Sequence, residues 1–225
     1  MIKDFLNLEF LQNSDSFFPS GSVSFSWGLE SLINQNIVKN SNDLKYFITS
    51  IIENRWFCFD LPVLKFSSKN CSIEKLIKLD KLVEAQTLPL EQRVGSKKLG
   101  LTMLSIHEKL ETPGAKILLN DVKNKKTFGH LNIVQGYIWN NLGFKFSKIK
   151  LISIHTLCTS LLSAAVRLSL IGYLEAQKVY KEIQPKVNEI LKKPIKNIQE
   201  IYSFTPYIDI ASMKHENDKQ RMFMN

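Results

Sequence analysis

The chain has 225 residues, 44% of them hydrophobic, and its 30 basic and 21 acidic residues give a net charge of +9. This length and hydrophobic content suit one sizeable domain with an ordinary core. The scattered cysteines Cys58, Cys71 and Cys158 form no CxxC pair, which argues against a disulfide framework and favours the reducing cytosol.

The N-terminal part holds a long polar segment, LQNSDSFFPSGSVSFSWGLE, from Leu11 to Glu30. We interpret it as an irregular lead into the first helix. Its Asp15 and Ser16 are predicted to bind nearby backbone amides in a turn, because no histidine partner for a catalytic triad is evident. The residues before it lack a long apolar core and a cleavage site, so we expect no signal peptide.

Helical periodicity dominates the chain after Asn42-Asp43. Apolar residues at helical spacing predict a strong helix there, followed by a turn at Pro62. Further helices are predicted after Ser72, a candidate N-cap, and after Pro89. Pro113-Gly114 is expected to separate the latter helix from the next one.

The apolar segment from Leu151 to Leu174 is long enough to span a bilayer. It nevertheless contains His155 and Arg167, and a central arginine costs about 2.5–3.5 kcal/mol on membrane-insertion scales. We therefore interpret the segment as a buried helix of an all-helical core and expect no membrane association.

The tail after Pro206 mixes apolar and charged residues without a continuous apolar face. Pro206 is expected to stop the preceding helix, and the tail to be mobile or only loosely docked. The sequence as a whole predicts an all-α fold, a single-domain helical bundle over residues 1–225 with irregular N- and C-terminal segments. Residues 205–225 form the tail.

The residue at position 101 argues against a nucleotide-binding Walker A loop. Gly95 and Gly100 have the spacing of a Walker A loop, but Leu101 stands where the phosphate-binding lysine is needed. We predict instead that both glycines mark places where helices approach closely. No catalytic constellation emerges elsewhere, so we expect a protein that is not an enzyme and has no cofactor.

Two alternatives remain open. His155 and Cys158 share a helical face and together offer two metal ligands, which would suit a metal-binding helical enzyme. Core packing explains the pair better, because leucines surround it and cysteine is often buried without metal. The second alternative is a basic helical nucleic-acid-binding protein. The lysines are spread along the chain without a dense basic block, which argues against nucleic acid as a partner.

The segment SAAVRL, Ser163 to Leu168, combines three small residues with an arginine. The small residues permit close helix–helix approach. Arg167 then needs a carboxylate or carbonyl partner, because an unpaired buried charge is very costly. It is either an internal anchor or a contact across a subunit interface.

Three stretches together resemble the urease accessory protein F family. The first is the opening polar segment, with Asp15-Ser16, Pro19, Gly21 and the ending Ser26 to Glu30. The second runs from His130 through SAAVRL to Gly172 and Gln177, and the third is PYIDIASMKHENDKQRMF in the tail. The order and spacing of the three stretches are kept across nearly the whole chain.

Four positions depart from the family pattern. Leu170 stands where the family usually has Pro, and Ala176 where it has Gly. Asp218 and Met222 both replace leucines of the tail. These departures affect a helix junction and the tail.

The resemblance implies an all-α fold, usually dimeric, without catalysis of its own. Family members join accessory protein D (also called H), the GTPase accessory protein G and the urease apoprotein. The complex delivers nickel, and the F subunit bridges D to G and influences the GTPase cycle of G. The resemblance also implies that the tail becomes ordered on binding D.

The resemblance assigns two sets of residues. The set implied to bind partners is Glu30, Asp209, Met213, His215, Glu216, Arg221 and Phe223. The set implied to lie at an interface or to support the fold is Asp15, Ser16, Pro19, Gly21, Arg167, Gly172 and Gln177.

Overall fold

The computed structural model describes residues 2–19, 25–69, 72–215 and 222–223. Across these ranges the regular structure is helical and contains no strand, which confirms the predicted all-α fold. In chain order the elements are α1 (Ile2–Ser14), α2 (Leu29–Asn34), α3 (Ser41–Ile51), a π-helical segment (Ile52–Asp60), α4 (Leu61–Ser67), α5 (Ile73–Gln86), α6 (Leu90–Lys109), α7 (Ala115–Lys123), α8 (Leu131–Asn141), α9 (Phe146–Arg167), α10 (Tyr173–Lys192), a 3-10 turn (Ile198–Glu200) and α11 (Pro206–His215).

The helix predicted after Asn42 begins one residue earlier, at Ser41. Helical structure then continues from α3 through the π-helical segment and α4 to Ser67. The side chain of Asn40 accepts the backbone N–H groups of Asn42 and Asp43 at 2.9 and 3.1 Å, which caps α3. The prediction of a turn at Pro62 is wrong, because the π-helical segment leads directly into α4. Its altered hydrogen-bond pattern accommodates a proline that has no N–H to donate.

Helix α9 lies at the centre of the bundle. It contacts α1, α4, α8 and α10, and its residues Ile152, Leu161 and Ala165 are fully buried. Within the described part of the chain it is the one helix long and apolar enough to cross a membrane. Its contacts on several sides agree with the interpretation of this segment as a core helix.

Two buried tryptophans fix neighbouring elements to the core through their ring nitrogens. Trp56 donates its Nε1–H to the hydroxyl of Ser153 on α9 at 2.9 Å. Trp139 donates to the side-chain oxygen of Asn13 at 3.2 Å. The second bond ties α1 to α8, and buried tryptophans ordinarily satisfy this N–H group.

The first helix lies earlier in the chain than we predicted. Because α1 covers Ile2–Ser14, the polar segment from Leu11 to Glu30 begins inside α1 and leads on to α2. The sequence gives little sign of α1 because it has no clear apolar stripe of its own. Its contacts with α9 and the bond from Trp139 stabilise it through tertiary packing.

Both glycines of the Walker-like spacing lie at close approaches as predicted, but the segments that approach α6 there are non-helical rather than helices. A methyl group on Gly95 would run into the ring of Phe25. One on Gly100 would run into the backbone carbonyl of Gly129 in the loop before α8. The absence of a side chain is thus required at both positions.

Candidate functional site

Helix α11 folds the tail back onto the body of the protein. Its inner face, formed by Ile208, Ala211 and Ser212, is buried against α2 and α6. The prediction of a mobile or loosely docked tail is therefore wrong for Pro206–His215. This stretch is also helical without any partner.

The N-terminal end of α11 explains how a helix forms after Pro206. Proline suits the first turn of a helix, where its missing N–H has no partner to lose. The hydroxyl of Thr205 donates to the carboxylate of Asp209 at 3.2 Å, which closes this first turn. The side-chain amide of Gln92 on α6 donates to Asp209 at 3.4 Å and to Ser212 at 3.2 Å.

Asp209 is thus an internal tether of α11 in this structure. Burial raises the pKa of its carboxyl, although hydrogen bonds from Thr205 and Gln92 and the charge of Arg55 oppose the rise. The resemblance implied a partner contact here. The geometry instead gives Asp209 the role of holding α11 in place.

The turn that begins α2 receives both α11 and the end of the chain. Gly28 has φ +78°, and a methyl group built on it would lie 3.1 Å from the hydroxyl of Ser212. Two residues further on, the carboxylate of Glu30 accepts the N–H groups of Met222 at 2.8 Å and Phe223 at 3.0 Å. Glu30 is buried, so its carboxylate faces the chain end rather than solvent.

Phe223 is buried beside the last residue of α9. Its ring lies 4.5 Å from the guanidinium carbon of Arg167, a cation–π geometry. Arg167 itself is exposed, which corrects the expectation of an arginine buried in an apolar helix. Position 167 is the C-terminus of α9, where the end of the helix favours a cation and solvent hydrates it.

The small residues of SAAVRL pack inside the monomer. Ala164 and Ala165 are buried in the cluster formed with α2, α3, α10 and α11. Their close packing therefore serves this chain's own core, and they offer no surface to a second subunit. Ser163 is partly buried.

The outer side of α11 is apolar and open to solvent. We call this surface the tail stripe. Its residues are spaced three positions apart: Phe204, just before the helix, and Tyr207, Ile210 and Met213 on it. Their exposed fractions are 67% for Phe204, 77% for Tyr207, 51% for Ile210 and 43% for Met213. Sequence reasoning identified Met213 alone. Phe204, Tyr207 and Ile210 share a three-residue spacing with Met213 that indicates one exposed apolar face. This spacing is not evident in the sequence, because the opposite face of the helix is apolar as well.

The remaining predicted residues are spread over the surface. The carboxylate of Asp15 accepts the N–H of Phe17 at 2.8 Å, which confirms the predicted turn for Asp15. The hydroxyl of Ser16 donates to the Asp15 carboxylate at 3.5 Å rather than binding a backbone amide, and Ser16 and Pro19 are exposed. Gln177 is exposed on α10, and a methyl group on Gly172 would touch nothing within 4 Å. Three predicted residues and one side chain fall outside the described residues, namely Gly21, Glu216, Arg221 and the side chain of His215.

The geometry argues against His155 and Cys158 as a metal site. The Nδ1 atom of His155 lies 2.7 Å from the hydroxyl of Tyr180, which occupies one possible ligand atom. Burial raises the pKa of the Cys158 thiol to about 12, whereas zinc and nickel bind the thiolate. Over the residues that the structure describes, no three histidine, cysteine or acidic side chains come together at metal-binding distance.

A buried carboxylate organises the loop before α8. Asp80 on α5 accepts the hydroxyl of Thr127 and the backbone N–H groups of Phe128 and Gly129, both at 2.7 Å. It also accepts the N–H of His130 at 3.1 Å. One side chain thereby fixes four consecutive residues.

His130 extends this network to α6. Its Nε2 lies 2.7 Å from Glu84 and its Nδ1 lies 3.1 Å from the hydroxyl of Ser96. Burial lowers the pKa of His130, although Asp80 and Glu84 oppose this. The Ser96 oxygen also accepts the N–H of Leu131 at 3.1 Å, so the hydroxyl is held in place as part of the scaffold.

A cavity of about 140 Å³ lies between α1, the π-helical segment, α6, α8 and α9. Its wall includes the polar side chains of Arg55, Asp60, Gln92 and Asn132. Burial raises the pKa of Asp60, although Arg55, at 3.5 Å between Nε and Oδ1, and Asn132 oppose this. Gln92 also holds α11, so one side chain connects the cavity wall to the tail.

These features define a class of protein, a helical bundle whose docked terminal helix presents an apolar surface. The sequence model of the UreF family matches residues 38–184, which is more than half of the chain. The chain therefore belongs to the UreF family.

The similarity extends over nearly the whole length of curated relatives. The urease accessory protein UreF of Trichodesmium erythraeum is 28% identical over 230 residues, covering 97% of this chain and 96% of the relative. That of Corynebacterium efficiens is 26% identical, covering 96% and 95%. That of Bacillus sp. strain TB-90 is 28% identical, covering 97% and 98%.

Proposed function

We propose that this chain is a non-catalytic urease maturation factor of the cytoplasm. In this proposal it forms a homodimer, bridges accessory protein D (or H) to the GTPase accessory protein G, and influences the GTPase cycle of G while nickel is delivered to apo-urease. The support is its membership of the UreF family and its full-length similarity to relatives named urease accessory protein.

The observation that carries the proposal is the exposed tail stripe. Tyr207, Ile210 and Met213 lie on a helix whose opposite face is buried against the body of the protein, so these apolar side chains face solvent. Contiguous exposed apolar surface marks interaction sites, and aromatic and methionine side chains are common at the centres of interfaces. We propose that accessory protein D covers this stripe.

The charge of the chain supports a protein partner of opposite sign. The net charge is +9, and Lys214, at the C-terminal end of α11, is exposed beside the stripe. A net positive charge accelerates encounter with an acidic surface and helps to orient it. Nickel is the cargo of the proposed complex.

Reconstituted activation tests this function. Apo-urease, accessory proteins D and G, nickel and GTP are combined with and without this chain, and urease activity is followed. Activity that depends on the chain is expected, with GTP hydrolysis arising from G, because the chain has no Walker A lysine. Equal activation without the chain would contradict the proposal.

A second arm locates the surface. Tyr207→Ser combined with Ile210→Ser removes the centre of the stripe. The matched control is Tyr46→Ser combined with Ile117→Ser, whose side chains are 77% and 59% exposed on α3 and α7. The proposal predicts that the stripe variant fails to activate urease while the control variant still does so.

A further inference from the structure

The end of the chain is held by two side chains from separate helices. Glu30 of α2 binds two consecutive backbone N–H groups, those of Met222 and Phe223, with one oxygen for each. Hydrogen bonds to a carboxylate are stronger than those between neutral groups, and the Glu30 side chain is buried. Because Glu30 binds backbone N–H groups, this contact fixes the position of the main chain at residues 222–223 and does not select their side chains.

The second contact recognises the side chain. The Phe223 ring is 3% exposed and belongs to the core cluster that includes α2, α9 and α11. The guanidinium of Arg167 lies over its face. Met222, in contrast, is 56% exposed. Both residues donate a backbone N–H to Glu30, but only Phe223 buries its side chain in the core.

The site that binds the chain end adjoins the docking site of α11. Gly28, which permits the close approach of Ser212 and Ile208, lies two residues before Glu30 in the same turn. A contact that fixes residues 222–223 on this turn restrains the same tail at its far end. Three residues of the tail stripe, Tyr207, Ile210 and Met213, lie in sequence between the start of α11 and residues 222–223.

We propose that Glu30 and Arg167 form a latch for the chain end, which holds α11 and its tail stripe in the orientation that the partner binds. The inference rests on the proposed function, because the partner is the one assigned there to the stripe. Glu30, Arg167 and Phe223 are positioning residues in this account. They act on the partner through α11 and need not contact it.

Hydrogen exchange of the isolated full-length chain tests the latch without any partner. In Glu30→Gln the amide retains one acceptor and places an NH₂ group against a backbone donor. We expect exchange in the C-terminal peptide that contains residues 222 and 223 to become at least about tenfold faster, since bonds to a charged group are lost. Phe223→Ala should give the same result, and Met222→Leu is the matched control that should not.

Arginine variants test the contact with the ring. Arg167→Lys keeps a cation that can lie over an aromatic face, whereas Arg167→Met keeps length and loses the charge. Arg167→Lys should retain most of the protection and Arg167→Met should lose it. Unchanged protection in Glu30→Gln, Phe223→Ala and Arg167→Met would overturn the latch.

Affinity measurements separate a latch from a merely stabilising contact. Calorimetric titration with accessory protein D should show Glu30→Gln binding at least about fivefold more weakly, while circular dichroism shows the variant to be as helical as the parent chain. Equal affinity with faster exchange would overturn the positioning role. If even the parent chain fails to bind D, the proposed function fails, and the exchange experiment still decides whether the latch exists.

Discussion

Gly28, at the start of α2, packs closely against Ser212 of α11. A methyl group on Gly28 would stand 3.1 Å from the hydroxyl of Ser212 and 3.2 Å from the carbonyl oxygen of Ile208. Gly28 also has a φ of +78°, which L-residues with a side chain rarely adopt. The docking of α11 thus depends on the absence of one side chain in the Ser-Trp-Gly-Leu-Glu stretch.

Substitution of this glycine should loosen the tail helix. Gly28→Ala is expected to lower the free energy of unfolding by about 2 kcal/mol, because backbone strain adds to crowding against α11. It should also weaken binding of accessory protein D. Gly172→Ala is the matched control, since a methyl group there meets nothing within 4 Å and should change stability by at most about 0.5 kcal/mol. Equal stabilities of the two variants in urea denaturation would contradict the assignment of Gly28.

Asp80→Asn should destabilise the chain strongly. The carboxylate accepts three backbone N–H groups and one hydroxyl, and an amide must place its own NH₂ group against at least one of these donors. We expect a loss of about 3 kcal/mol, because a buried donor is left without an acceptor. Asp121→Asn is the control, since Asp121 pairs with a largely exposed lysine and such pairs contribute about 0–1 kcal/mol. A small, equal loss in both variants would show that the Asp80 network is dispensable.

His107 should make the fold sensitive to acid. Burial lowers its pKa to about 4 from an ordinary value of 6.5. Between these pH values the unfolded chain binds a proton that the folded chain does not, so stability falls as the pH is lowered through this window. At about 1.4 kcal/mol for each pKa unit, the loss reaches roughly 3 kcal/mol near pH 4.

The His107→Leu variant tests this pH dependence. Its free energy of unfolding, measured by chemical denaturation between pH 7 and pH 4.5, should change less steeply than that of the parent chain. Some slope should remain, because burial also lowers the pKa values of His130 and His155. Parallel profiles for the variant and the parent would refute the role of His107.

Cys158 should be chemically inert in the folded protein. It is 1% exposed, and burial raises the pKa of its thiol to about 12, so almost no thiolate is present at neutral pH. Alkylation with iodoacetamide followed by mass spectrometry should leave Cys158 unmodified in the native chain and modify it in urea. Rapid native alkylation would reopen the metal-site alternative for His155 and Cys158.

Periodicity and helix-breaking residues predicted much of the bundle correctly. Helices α5 and α6 begin directly after Ser72 and Pro89, and α9 is the core helix that its hydrophobicity indicated. Local patterns are informative there because one face of each helix is apolar or its start is marked by a capping or turn residue.

The tail could not be predicted because α11 is apolar on both sides. Ile208 and Ala211 face the core while Tyr207 and Ile210 face solvent, so the sequence shows no single stripe and resembles an irregular segment. The partners of Glu30 were equally hidden. Its carboxylate binds backbone N–H groups 192 and 193 residues away, and such contacts leave no trace in side-chain spacing.

Calorimetric titration of accessory protein D with variants of the tail stripe decides whether this surface binds D. Ile210→Ser combined with Tyr207→Ser should weaken binding at least about tenfold, as expected when residues at the centre of an interface are removed. The Tyr46→Ser, Ile117→Ser control should bind as the parent chain does, and circular dichroism should show both variants fully helical. Undiminished binding by the folded stripe variant would contradict the account.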